Sequence, residues 1–411
     1  MNFRVRKRFM GGGPSSILRR VREILTAYGV SERKFADKLA KYAGILKVYG
    51  TNASFSATAI AVARNPHLFK GLEKDGVELV IQGFRHIDYS TTAPEKQEED
   101  VRAAVDVFGR FGLTFSGFRA PYLKLSPETR SILKNYVTYD SSEKFLWDCQ
   151  LPIACQNRSE GNISAPIVRD GLLEIPVSLP SDVWLLHRLG VQNQNDIYDL
   201  WKNTFESSHE RGELFTLQLH PENIDRCDEA LKKLLACARE KKPPVWMTTL
   251  GEVASWWAQR SKCTLSRSGG RNHKITLEGS ERATLLTRNL DVPGARAWFG
   301  GCDVVEGREF SAAKNPAVGV SPNASSTLAQ FLKDEGFIVE ESTRRKTYGL
   351  YFDREQFGER DQLALLSEIE ASGKPYVRLW RWPERARSAL SISGDIDCVT
   401  LWDYAYRLVG E

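Results

Sequence analysis

Two aspartates set two residues apart, Asp395 and Asp397 in the run S-A-L-S-I-S-G-D-I-D-C-V-T, constrain this chain more than any other feature. The groups that would complete a reactive set with them lie in the other half: Q-G-F-R-H (Gln82 to His86), G-F-R-A-P-Y (Gly117 to Tyr122) and L-Q-L-H-P (Leu217 to Pro221). Each of these ends an apolar run, where a strand of an α/β barrel delivers side chains to a shared mouth. Two carboxylates, two histidines and an arginine brought together there are what metal-assisted hydrolysis of an amide or ester requires. A fold that uses them must return a late strand to a sheet begun early in the chain. The run G-D-I-D also reads as an ordinary strand end followed by a helix cap, and only the three ordered motifs separate the two readings.

Helical spacing covers 15–29 and 31–48, with Ser31 placed to cap the second helix. Strand-like runs at 52–59, 76–83, 136–142, 171–178 and 214–220 alternate with helical segments near 94–112, 195–208, 225–240 and 251–259. That alternation argues for a parallel sheet, and the number of units favours a barrel over an open sheet. From Cys263 the pattern changes to short strand-like runs, a helix over 324–336 and another over D-Q-L-A-L-L-S-E-I-E-A-S. The segment V-R-L-W-R-W-P (377 to 383) then returns the chain to the barrel. Its Trp380 and Trp382 suit either stacking on sugar rings or aromatic packing at a domain junction. With 411 residues, 42% of them hydrophobic, the chain can bury a core large enough for two domains.

The ordered motifs resemble the polysaccharide deacetylases, the metal-dependent carbohydrate esterases of family 4. The family opens with the acidic strand that here comes last, so the resemblance implies a TIM-like (β/α) barrel of about seven strands, circularly permuted, with a small α+β insert domain. The implied boundaries are 1–261 for the main part of the barrel, 262–384 for the insert, and 385–411 for the strand and helix that complete the barrel. The resemblance makes Asp397, His86 and Gln82 the metal ligands and Asp395 the base acting on metal-bound water. Arg119 steadies that base, and Pro121, Tyr122 and Trp184 shape the substrate wall, with the Tyr122 N–H as an oxyanion donor. His220 protonates the leaving group and Asp182 orients it. Both aspartates reach one mouth only if the end of their strand curves.

The departure from the family pattern is Gln82, which stands where the motif has histidine four residues before His86. A carboxamide oxygen is a weaker ligand for zinc than a neutral imidazole. The implied function is removal of acetyl groups from an N- or O-acetylated carbohydrate or sugar conjugate by a divalent metal, zinc by resemblance, with affinity weakened or altered by Gln82. The alternative is a catalytically degenerate relative that binds carbohydrate or acts as a scaffold.

A net charge of +5 with a pI near 8.7 is mildly basic, and the one dense basic stretch, Arg4 to Arg8, is too short to imply a nucleic-acid partner. Met1 to Met10 is charged and no apolar core follows, so no secretory signal is expected. No run approaches the ~18 apolar residues of a membrane span. The seven cysteines are odd in number and form no tight metal-type cluster, which suits reduced thiols in a cytoplasmic protein. The glycosylation-type triplets at Asn52, Asn157, Asn162 and Asn323 are then chance matches.

Overall fold

The computed structural model describes residues 24–147, 162–270 and 272–409, without the side chains of the last two. The basic stretch at Arg4 to Arg8, most of the helix expected over 15–29, and Cys149, Cys155 and Asn157 lie outside the described residues. The chain is a mixed α/β protein built on a curled sheet. In chain order that sheet contains β1 (Ala53–Ala57), β2 (Glu78–Ile81), β3 (Gly117–Phe118), β4 (Tyr139–Asp140), β5 (Lys144–Leu146), β6 (Ile167–Arg169), β7 (Leu172–Glu174), β8 (Val177–Leu179), β9 (Leu214–Gln218) and β10 (Val245–Met247). Its central strand is Ser388–Ile396, which is β21 when the strands of the intervening region are counted.

The strand order is β5-β8-β9-β21-β1-β2-β3-β4-β7-β6, with β10 also paired to β21. The pairs are parallel except β6 with β7. The late strand therefore does enter the sheet begun early in the chain. Its first half lies between β9 and β10, and its second half between β9 and β1. β4 and β5 stand on opposite halves of the path, yet only residues 141–143 separate them, so the sheet bends back towards itself.

β1, β9 and β21 are buried along their whole length, as parallel strands covered on both faces must be. This explains why they read in sequence as small and apolar runs with few charges. The covering helices include Arg33–Val48, Pro94–Arg110, Gln194–Arg211 and Ile224–Glu240. Phe35, Tyr42, Phe55, Phe108, Trp201 and Leu231 fill the space between helices and sheet. Each fully buried side chain of this size contributes roughly 2–3 kcal/mol relative to exposure. The expected cap at Ser31 is not used: the helix starts at Arg33 behind Glu32, with no side-chain cap bond.

Between Thr264 and Leu379 the chain forms three small sheets. β11 (Thr264–Ser268), β12 (His273–Glu278) and β16 (Glu309–Ala312) are antiparallel. A second antiparallel sheet has the order β14 (Arg296–Phe299), β15 (Cys302–Val305), β13 (Leu285–Arg288), β20 (Tyr376–Leu379). The third is parallel, with β17 (Val318–Val320) between β18 (Val339–Glu341) and β19 (Leu350–Phe352), and is accompanied by helices Ser326–Asp334 and Gln362–Ala371. Tyr376–Leu379 belongs to the second sheet, so the chain regains the curled sheet only at Ser388 and not along the whole of 377–383.

Trp380 and Trp382 are buried at this junction, 2% and 0% exposed, so no sugar can stack on them. Their indole N–H groups reach the Ala386 and Gly212 carbonyls, and Trp382 packs on Trp246 and Trp257. Cys227, Cys237, Cys263, Cys302 and Cys398 are free thiols. No described helix is long and apolar enough to cross a membrane.

Candidate active site

The mouth is built around the end of β21. Asp395 lies in the strand and Asp397 just beyond it, and residues two apart along a strand project to the same side. Asp397 itself stands at a bend just past the strand end, so the turn of the chain there and the pleat together set both carboxylates. Register places Ser56 of β1 beside Asp395, and its hydroxyl donates to Asp395 Oδ1 at 2.6 Å. From the other neighbour, Gln218 at the end of β9 donates through Nε2 to Oδ2 at 2.8 Å. Arg119 follows β3 and donates to Oδ1 at 3.3 Å, while its remaining donors reach Ser393 Oγ, Ser141 O and Ser141 Oγ at 3.0, 2.9 and 2.9 Å. A guanidinium only 1% exposed is tolerable because its donors are used in this way.

His220 lies two residues past β9. Its Nδ1 is 2.8 Å from Asp182 Oδ1, and its backbone N–H donates to Asp182 Oδ2 at 3.0 Å. Asn223 Nδ2 donates to the same oxygen at 2.7 Å, so Asp182 fixes both ring and backbone. His220 Nε2 faces Asp395 Oδ2 at 3.7 Å. Burial disfavours the charged imidazole, but the Asp182 carboxylate outweighs it and holds the pKa of His220 well above the ordinary histidine value. In the same way burial pushes the Asp182 carboxyl up, while the charge of His220 and the surrounding donors bring it below the usual range.

Gln82, His86 and Asp397 also converge. Gln82 follows β2, is 1% exposed, and among the described residues finds no partner for either end of its amide. The turn to His86 is held by Asp100, which accepts from the Phe84 N–H at 2.8 Å, the Arg85 N–H at 3.2 Å and the Tyr89 hydroxyl at 2.7 Å. Gly83 is required there: its φ is 92°, and a Cβ would lie 2.5 Å from Asp100 Oδ2. His86 Nε2 is 3.3 Å from Asp397 Oδ2.

Between these two side chains stands a residue the motifs did not announce. Arg407, on the helix Leu401–Val409, donates through Nη1 to Asp397 Oδ2 at 2.7 Å and places Nη2 2.9 Å from His86 Nδ1. Burial lowers the pKa of His86 despite the opposing pull of Asp397. For Asp397 burial raises the pKa, but His86 and Arg407 together lower it below the usual range.

Pro121 is buried and opens a short 3₁₀ turn, Pro121–Leu123, in which Tyr122 has a φ of 62°. The first N–H groups of such a turn have no acceptor within it, and the Tyr122 N–H is one of them. The Tyr122 ring stands edge-on to His86 with centroids 4.4 Å apart and is 52% exposed, so it forms a wall of the mouth. Trp184 starts the helical stretch Trp184–Arg188 and is half-buried beneath Arg188, whose guanidinium is 5.2 Å from its ring.

The donor set does not fit a divalent metal as arranged. Arg407 is bonded to Asp397 Oδ2 and lies within 3.3 Å of both His86 ring nitrogens, so a cation already occupies both side chains, and the third position is a carboxamide. Among the described residues no group of three or more His, Cys, Asp or Glu side chains is placed to hold a metal ion. Sequence reasoning also missed Ser56, Gln218 and Asp100. Gln218 lies inside the L-Q-L-H run and Ser56 inside N-A-S-F-S-A-T-A, where the alternation of a strand signals which residues share a face.

Residues 18–138 match the family model of polysaccharide deacetylases. That segment is similar to the polysaccharide deacetylases. The match includes Gln82, His86, Arg119, Pro121 and Tyr122 and stops before Asp182, His220, Asp395 and Asp397. The family consists of CE4 esterases, which hydrolyse amide or ester bonds and are generally metal-dependent, and some members are pseudoenzymes. No curated protein matches the chain.

Among solved structures, a probable polysaccharide deacetylase from Pseudomonas aeruginosa PAO1 is 20% identical, covering 55% of this chain and 75% of its own, with a TM-score of 0.46. An allantoinase is 20% identical over 54% of this chain and 72% of its own, with a TM-score of 0.44. A CE4 family pseudoenzyme from Bacillus anthracis is 11% identical over 53% of this chain and 61% of its own, with a TM-score of 0.37. All three scores are below 0.5, and the description of the fold rests on the strand pairing given above.

Proposed function

We propose that the domain hydrolyses an acetyl amide or ester of a carbohydrate by acid–base catalysis between Asp395 and His220. The observation that carries this reading is His220 held by Asp182 on one ring nitrogen and facing Asp395 at 3.7 Å with the other. Asp395 takes a proton from water as the oxygen attacks the acetyl carbon. The Tyr122 N–H receives the developing oxyanion. His220, charged through Asp182, then gives its proton to the leaving amine or alcohol as the C–N or C–O bond breaks, releasing acetate. Arg119 and Ser56 orient Asp395 by occupying Oδ1, while Oδ2 accepts from Gln218 and faces His220. Pro121, Tyr122 and Trp184 line the path of the sugar.

The reading extends to architecture and place. The central position of β21 supports a family barrel of about seven strands in circularly permuted order, with 1–261 and 385–411 forming one domain and 262–384 a small α+β insert. The mix of free thiols supports a cytoplasmic location. Zinc, implied by the family, is left out of the reaction because Asp397, His86 and Gln82 do not present a ligand set.

Acetate release from N-acetylated chitin-like oligomers and O-acetylated sugars tests the proposal. Asp395→Asn should abolish turnover and His220→Ala should slow it by ~10²–10⁴. Equal rates for the parent and both variants would overturn these roles. A second reading, a degenerate carbohydrate-binding or scaffold protein, draws on the unpartnered Gln82 amide and the arginine between His86 and Asp397. It prevails if the parent releases no acetate with any substrate but binds the oligosaccharides.

A further inference from the structure

We infer that the guanidinium of Arg407 is the built-in cation of this mouth, held between Asp397 and His86 in the position a divalent ion would need. The inference rests on the reading that this mouth is the working site. Two nitrogens of one planar group meet the two side chains, Nη1 with Asp397 Oδ2 at 2.7 Å and Nη2 with His86 Nδ1 at 2.9 Å. A guanidinium only donates, and its Nη2 also lies 3.3 Å from His86 Nε2, so the cation covers both ring nitrogens. His86 Nε2 also faces Asp397 Oδ2 at 3.3 Å.

Both expected ligands are thereby engaged by a group that remains charged at every working pH. The third position completes the change. Gln82 is 1% exposed and its amide is without a partner among the described residues, as is Asp397 Oδ1. These are neutral or already neutralised groups suited to a polar substrate atom or a water, not to a second cation. The two departures from a metal site are consistent with each other: losing the histidine at position 82 removes the pull on a metal, and Arg407 supplies the positive charge that Asp397 would otherwise lack.

Zinc titration of the intact protein by calorimetry, with bound metal measured after dialysis, tests this without reference to turnover. The wild-type chain should retain well under ~0.1 equivalent of zinc, and its acetate release should change by less than about twofold with a chelator, because no tetrahedral ligand set is available. Uptake of ~1 equivalent by the wild type would overturn the inference. Arg407→Ala combined with Gln82→His frees three ligands and should take up ~1 equivalent, while Gln82→His alone should not. Gln82→His alone binding as tightly as the double variant would also overturn it. If the double variant does not fold, the wild-type titration still decides. Failure of the hydrolase reading shows differently, as absence of acetate release under all conditions with zinc uptake still nil.

Discussion

At the scale of single residues, the histidine of this mouth is set between two carboxylates with different jobs. In the proposed reaction Asp182 keeps His220 protonated through one ring nitrogen, and Asp395 faces the other. Because the pKa of His220 is raised in the folded protein, its charged form persists below that pKa and is lost as pH rises through it. Activity should therefore fall on the alkaline side. Asp182→Asn removes the main charge that raises this pKa, so the alkaline limb should move to lower pH, with a rate loss of ~10² or greater. A pH–rate profile that keeps its alkaline limb in the variant would detach Asp182 from this role. Asp395, His220, Arg119 and Asp182 were legible in the sequence because each stands at or just past a strand end, a position that pattern alone locates. Arg407 was not legible. Its reach to Asp397 depends on the phase of a helix and the direction that helix leaves the sheet, and neither is written in local spacing. Its effect is nevertheless large: a second cation ~4 Å away would be opposed by on the order of 4 kcal/mol per unit charge at an effective dielectric near 20.

At the scale of elements, the site depends on how closely β21 approaches its neighbours. A Cβ at Gly394 would lie 2.3 Å from the carbonyl oxygen of Leu219, which is a backbone atom that cannot swing aside. Gly394→Ala should cost ~1–3 kcal/mol in urea unfolding and should also depress turnover, because the shift separates Asp395 from His220. A variant as stable and as active as the parent would show that this contact yields easily. The long buried strands β1, β9 and β21 were readable as apolar runs of small residues. The expected strands at 136–142 and before Arg119 shrink to Tyr139–Asp140 and Gly117–Phe118. Where the sheet bends back, the ladders are short, and side chains add bonds to the backbone: Arg119 donates to the Ser141 carbonyl, while Ser142 Oγ and Glu174 accept from the Ala120 and Ser142 N–H groups. A run of strand-forming residues carries no sign of that bend. The Trp-rich segment illustrates the same limit, since composition allowed a sugar platform and only the packing of Trp246, Trp257 and Trp298 around Trp380 and Trp382 shows a junction.

At the scale of the whole molecule, the curled sheet and the smaller sheets meet through charged and aromatic side chains that must stay matched. His209 sits there, bonded through Nδ1 to Ser388 Oγ at 2.9 Å and edge-on to Phe299. Burial, reinforced by Lys241 and Arg387, depresses its pKa to about 4. For a base with a depressed folded pKa, the unfolded chain takes up the proton first, so the stability is full above ~6.5 and drains away as pH falls from there towards 4. The native chain should lose ~2–3 kcal/mol over that window through this residue, and His209→Gln should flatten the dependence of Tm on pH. An unchanged slope would place the acid sensitivity elsewhere. The path of β21 has a different consequence, for the order in which the molecule can be made. Ser56 and Asp395 bond across a separation of 339 residues. During synthesis β1 and β9 are exposed with the seat between them unfilled, and pairings so distant in sequence close slowly. A ribosome that stops short of residue 388 releases a chain with two unpaired parallel edges and no proposed base, a species open to aggregation and unable to act on substrate. The proposed base thus arrives only with the strand that also seals the sheet.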